Sequence, residues 1–134
     1  MGRFWAIASP CELLIETQDS MLANHLTSVA YAETKRIEQK FSRYLPNNPM
    51  ANINDSQGKP IAIDNEFFRL LELANSCFQL SDGLFDITSG VLRQAWTFDG
   101  SDNLPSPDAV KVLMPFIGWG KVKYDQSSIT VAKG

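Results

Sequence analysis

The sequence predicts an α+β fold. Three observations carry that prediction. Short apolar runs open the chain and are broken by turn residues. Two long stretches then place apolar residues at three- and four-residue steps, the period of an amphipathic helix. A final pair of short apolar runs flanks Asp125-Gln-Ser-Ser128, a hairpin pattern.

The elements follow in order. Arg3 to Ala8 reads as a strand and Cys11 to Thr17 as a second, with Ser9-Pro10 as the break because proline removes a ladder donor. Asp19 or Ser20 suits the cap of a long helix, whose inner stripe would be Leu22, Leu26, Val29, Ala30, Ile37 and Phe41. Ser42 to Pro49 is a loop, Met50 to Asn54 a single helical turn, Ser56 to Pro60 a turn, and Ile61 to Ile63 a short strand. Asp64 suits the cap of a second helix with Phe67, Leu70, Leu71, Ala74, Cys77 and Phe78 inward, ended by Gly83 in a left-handed cap. Thr88 or Ser89 would cap a brief helix reaching Trp96. Asp99 to Pro105 is a polar loop. Ser106-Pro107-Asp108 starts another helix, with Val110, Leu113 and Met114 inward. Lys121 to Tyr124 and Ile129 to Val131 form the hairpin.

The chain has 134 residues, 44% hydrophobic and 20% charged, which suits one domain with a modest core and shows no internal boundary. The net charge is −3, and the basic residues Arg36, Lys40, Lys121, Lys123 and Lys133 are scattered, which argues against a nucleic-acid surface. Cys11 and Cys77 lie far apart, show no metal spacing, and are expected as reduced, mostly buried thiols. Pro10, Cys11 and Glu12 interrupt the first apolar stretch, so it does not read as a signal peptide. The expected location is cytoplasmic, or periplasmic and membrane-anchored if the N-terminus is incomplete.

Common chemical signatures are missing. His25 is the lone histidine, on the first helix, so a histidine metal cluster is impossible and a Ser-His-Asp triad unlikely in this chain. Neither dinucleotide- nor nucleotide-binding glycine motif occurs. Gly118-Trp119-Gly120 is too short to cradle phosphates by itself, and Trp96, Phe98 and Trp119 read as core. One stretch raises a sharper question. In SDGLFDITSGVLRQAW, Asp86 stands between Phe85 and Ile87, just before Thr88. An unpaired acid is costly among apolar neighbours. Asp86 therefore reads either as a helix cap or as part of a ligand-binding turn.

The order of motifs resembles the ApbE family, the FAD:protein FMN transferases once called thiamine biosynthesis lipoproteins. FSRYLPNNPMANIN, Phe41 to Asn54, is similar to the family's F-S-x-Y-x-x-x-S-x-I/L-x-x-I/L-N. SDGLFDITSGVL is similar to S/T-D/G-G-x-F-D-I/P-T-x-G-x-L/V, GWGKV to G-W/Y-x-x-V, and AIASPCE to A-M-G/A-S/T-P-C-E. The chain departs at Ile7, where the family commonly has a flavin-touching methionine, and at Asn48 and Pro49, where Ser and Glu are usual.

The resemblance implies a mixed or antiparallel sheet packed against two long helices, a T-fold-like architecture, here incomplete. Residues 1–134 would be the N-terminal part of a single domain, since the family's D-x-G-G segment and its magnesium-holding stretch come later. It implies a flavin site that includes Ile7, Tyr44, Leu84, Phe85 and Asp86, with no metal ligand assigned here. It implies transfer of FMN from FAD to a Thr or Ser hydroxyl of an acceptor flavoprotein with Mg2+, releasing AMP. The acceptor would be a subunit of a Na+-translocating NADH:quinone reductase or a related electron-transfer complex. The 134 residues alone would be inactive, and self-association through an exposed hairpin edge is expected. The alternatives are an FAD-binding or flavin-carrier module without transferase activity, and an interaction domain whose motifs preserve only the fold.

Overall fold

The structure, a computed structural model, describes residues 1–97, 100 and 102–132; Phe98, Asp99, Ser101, Lys133 and Gly134 lie outside it. The fold is α+β with antiparallel sheets. Its contacts divide into two compact units, residues 1–52 and 53–134.

The first unit opens with a hairpin of β1 (Gly2–Ala6) and β2 (Ser9–Leu13), paired from Gly2↔Leu13 to Ala6↔Ser9. The expected break at Ser9-Pro10 is displaced: the turn is Ile7-Ala8, and Pro10 lies inside β2 opposite Trp5. In a two-residue hairpin the pair flanking the turn exchanges hydrogen bonds and the next pair does not. Pro10 falls in that second pair, so its missing N–H costs the ladder nothing.

Helix α1 (Ser20–Phe41) is 22 residues long and begins at Asp19, whose Oδ1 accepts from the amides of Met21 (2.8 Å) and Leu22 (3.1 Å). It lies against β1, with Phe4 and Tyr31 in an edge contact at 5.5 Å. Gly2 permits this approach, because a Cβ there would sit 2.2 Å from Thr27 Oγ1. The apolar stripe is only partly covered. Ala30, Ile37 and Phe41 are half-buried, whereas Leu22, Leu26 and Val29 are exposed. Helix α2 (Pro49–Asn54) is capped by buried Asn48, whose Oδ1 accepts from the Ala51 amide at 2.8 Å while its Nδ2 donates to the Ser42 carbonyl at 2.7 Å. Proline at the first helical position loses no bond that the helix would make. Asn48-Pro49 therefore starts this helix in its own way.

In the second unit, β3 (Ile61–Ala62) leads to α3 (Asn65–Leu80), capped by Asp64 Oδ1 on the Phe67 amide at 2.9 Å. Phe67, Leu71 and Ala74 are buried at helical spacing, but Leu70 is 45% exposed, against the inward placement expected for it. The helix ends in a Schellman pattern: the amides of Asp82 and Gly83 donate to the carbonyls of Gln79 and Phe78. Asp82 occupies the left-handed cap position, at φ 50, and Gly83 follows it, also left-handed.

Helix α4 (Pro107–Leu113) starts as expected at Ser106, and Leu113 is buried; Val110 is half-buried and Met114 exposed. Strands β4 (Lys123–Tyr124) and β5 (Ser128–Thr130) form the hairpin, with Lys121 left outside it in a 3₁₀ turn. Asp125 organises its loop by accepting from the Ser127 and Ser128 amides, which hold its carboxyl below the usual range. The sheet order is β3-β5-β4, so one edge of the hairpin is paired with β3 within the chain. The outer edge of β4 is only two residues long, a weak template for another chain.

Cys11 and Cys77 are free and half-buried rather than mostly buried. A non-reducing intact mass is expected to retain both thiol protons; a two-proton deficit would refute this.

Candidate functional site

Four of the five expected site residues present apolar surface to solvent. In the first unit Ile7 is 56% exposed at the hairpin tip and Tyr44 is 65% exposed after α1. In the second, Leu84 is 93% and Phe85 47% exposed. Tyr44 stands beside Arg43, whose guanidinium lies 5.0 Å from the ring centroid and donates to the phenol oxygen at 3.0 Å. The Phe85 amide donates to Ser81 Oγ at 2.8 Å, tying the turn to the end of α3.

Asp86 is the fifth, and its geometry differs. It caps the 3₁₀ helix Ile87–Gln94, with Oδ1 accepting from the Thr88 amide at 2.8 Å and from Thr88 Oγ1 at 2.6 Å. A brief helix reaching Trp96 and capped by Thr88 or Ser89 was expected here; the cap is Asp86, the helix-cap reading of that residue, and the helix ends at Gln94. Ile87, Thr88, Ser89, Gly90 and Val91 are poor α-helix formers, and the tighter helix forms here instead. The second carboxylate oxygen accepts from the Trp119 amide at 2.9 Å. Thr88 Oγ1 accepts in turn from the Gly118 amide at 2.8 Å. Gly118 has φ 144, a conformation that excludes most side chains.

The F-D-I-T turn thus grips the G-W-G turn through the Asp86 carboxylate and the Thr88 hydroxyl. Two bonds at Oδ1 and one at Oδ2 leave Asp86 room for one further donor, at Oδ2.

Trp119 extends this junction. It is buried, its Nε1 donates to Asn75 Oδ1 at 2.8 Å, and its ring lies 5.6 Å from Tyr124. The Tyr124 hydroxyl donates to Glu72 Oε1 at 2.7 Å, and burial, then Glu72, pushes the phenol up to about 12. Lys121 Nζ folds back onto the carbonyls of Pro115 and Ile117. Of the aromatics read as core, Trp119 is buried and Trp96 half-buried. The sequence reading missed Asn75. Its signal is a polar residue on the apolar face that holds Leu71, Ala74 and Phe78.

Among the described residues no three His, Cys, Asp or Glu side chains come together as metal ligands. The described residues do not fit a magnesium site. His25 is exposed on α1.

An FAD:protein FMN transferase of Chlamydia muridarum is 29% identical over 99 residues, covering 72% of this chain and 31% of that protein. One from Chlamydia pneumoniae is 25% identical over 100 residues, covering 73% and 32%. The chain spans about a third of the length of these curated relatives. The crystal structure of the ApbE protein of Thermotoga maritima matches with a TM-score of 0.83 at 24% identity, covering 97% of this chain and 43% of that one. The apo flavinyl transferase ApbE of Pseudomonas stutzeri matches with a TM-score of 0.71 at 18% identity, covering 82% and 36%. At those identities the two structures speak for the fold. The ApbE family model matches residues 1–134, the whole sequence that carries the four motifs and the junction between two of them, and the chain belongs to the ApbE family.

Proposed function

We propose that this chain supplies flavin-contacting residues of an FAD:protein FMN transferase. In that reaction an acceptor Thr or Ser hydroxyl oxygen attacks the FMN phosphorus of FAD. A new P–O bond forms, the pyrophosphate P–O bond breaks, AMP leaves with the bridging oxygen, and the hydroxyl proton is released. Ile7, Tyr44, Leu84 and Phe85 contact the flavin nucleotide, and Asp86 has one lone pair to offer it. The observation that carries this reading is the exposure of these four apolar side chains at family motif positions, where burial would otherwise be favourable. A tyrosine face gives an isoalloxazine ring dispersion contact, and its hydroxyl remains polar. The acceptor is a flavoprotein, and a subunit of a Na+-translocating NADH:quinone reductase or a related complex fits that chemistry. Magnesium would neutralise charge at the phosphoanhydride when bound.

Isothermal titration of FAD tests these contacts residue by residue. Tyr44→Ala is expected to weaken binding by about 1–3 kcal/mol while leaving stability within about 0.5 kcal/mol, because the residue is exposed. Unchanged affinity would remove Tyr44 from the site. Transfer is read by mass spectrometry after mixing with FAD, magnesium and a threonine-bearing acceptor peptide. The 134 residues alone are expected to leave the peptide unmodified; robust FMN addition would overturn that. FAD binding without AMP release by the complete gene product would favour the flavin-carrier reading.

A further inference from the structure

The Ile7-Ala8 turn is strained. Both residues are left-handed, at φ 52 and φ 54. That geometry matches the twist of a two-residue hairpin, but such turns ordinarily use Asn and Gly. A β-branched residue at positive φ is a genuine outlier, and it persists only where its surroundings over-determine it.

The restraint comes from α1. Glu38 Oε1 accepts from the Ile7 amide at 2.9 Å, across 31 residues of sequence. Lys35, one turn earlier, pairs with Oε2 and fixes the carboxylate from the other side. The Lys35 ammonium, followed by the Ile7 amide, holds the Glu38 carboxyl below its usual range. Ile7 itself is exposed, so backbone restraint rather than side-chain packing sets where it stands.

We propose that Glu38 is a positioning residue for the flavin site: it holds the strained Ile7-Ala8 turn so that Ile7 is presented to the flavin. This rests on the functional reading above for what Ile7 touches. Glu38 acts through the turn and does not itself contact the ligand.

Three variants test it: Glu38→Ala, Glu38→Gln, and Glu38→Ala combined with Ala8→Gly. Glycine adopts positive φ without a Cβ penalty and so favours the turn by itself. Two readouts are used, FAD affinity and the exchange rate of the Ile7 amide by NMR. Glu38→Ala is expected to weaken FAD and to speed Ile7 exchange, each about tenfold, the size expected for one lost charged hydrogen bond. Glu38→Gln keeps an acceptor oxygen and should stay within about threefold of wild type in both. Adding Ala8→Gly to Glu38→Ala should recover most of the lost affinity. Unchanged Ile7 exchange in Glu38→Ala overturns the inference whatever the flavin does. So does wild-type FAD affinity in that variant, or a loss that Ala8→Gly fails to recover. Failure of the wild-type protein to bind FAD sinks the functional reading instead, and the exchange rates still decide whether Glu38 holds the turn.

Discussion

Asp86→Ala is expected to lower stability by about 2–4 kcal/mol: roughly 1 for the lost helix cap and 1–3 for the Trp119 amide left without its acceptor. The carboxylate serves both elements at once, with Thr88 on Oδ1 and Trp119 on Oδ2. Asparagine at 86 keeps the Oδ1 acceptor but turns an N–H donor toward the Trp119 amide, so it should recover only part of the loss. Urea unfolding followed by circular dichroism measures both. A wild-type midpoint for Asp86→Ala would show that the junction does not depend on this carboxylate. The result also fixes how flavin titrations are read. Tyr44→Ala should change affinity alone, whereas Asp86→Ala should change affinity and stability together, because its loss loosens the turn that carries Leu84 and Phe85.

Trp119→Ala is expected to cost about 3–5 kcal/mol, the range for removing a large buried aromatic. The indole is 7% exposed and lies against Tyr124, and its N–H satisfies Asn75. Trp119→Phe keeps most of the apolar contact but strands the Asn75 carbonyl oxygen, for a loss of about 1–3 kcal/mol. Asn75→Ala in the Trp119→Phe background should then cost less than it does in wild type, since the pair is already broken. The double-mutant cycle reads this directly. Equal costs of Asn75→Ala in both backgrounds would show that the indole N–H bond contributes nothing.

What the sequence alone determined is local or periodic. Asp19, Asp64 and Ser106 were legible as caps because a cap and the amides it serves lie two or three residues apart. The two long helices, the closing hairpin and the α+β class were legible because burial repeats with the period of the backbone. The motif order was legible too, and it pointed to the family. Tertiary structure decided everything that joins distant residues. The bond from Asp86 to the Trp119 amide spans 33 residues, that from Trp119 to Asn75 spans 44, and that from Glu38 to Ile7 spans 31. The same holds for the pairing of β3 with β5. No local pattern encodes which amide a carboxylate will meet; only the folded path of the chain does. Hence Asp86 left two readings open, a cap or a ligand-binding turn, and Glu38 was not singled out. The exposure of Leu22, Leu26 and Val29 was hidden for the same reason. A hydrophobic stripe states which face a helix would bury, and the surrounding chain decides how much of that face is covered.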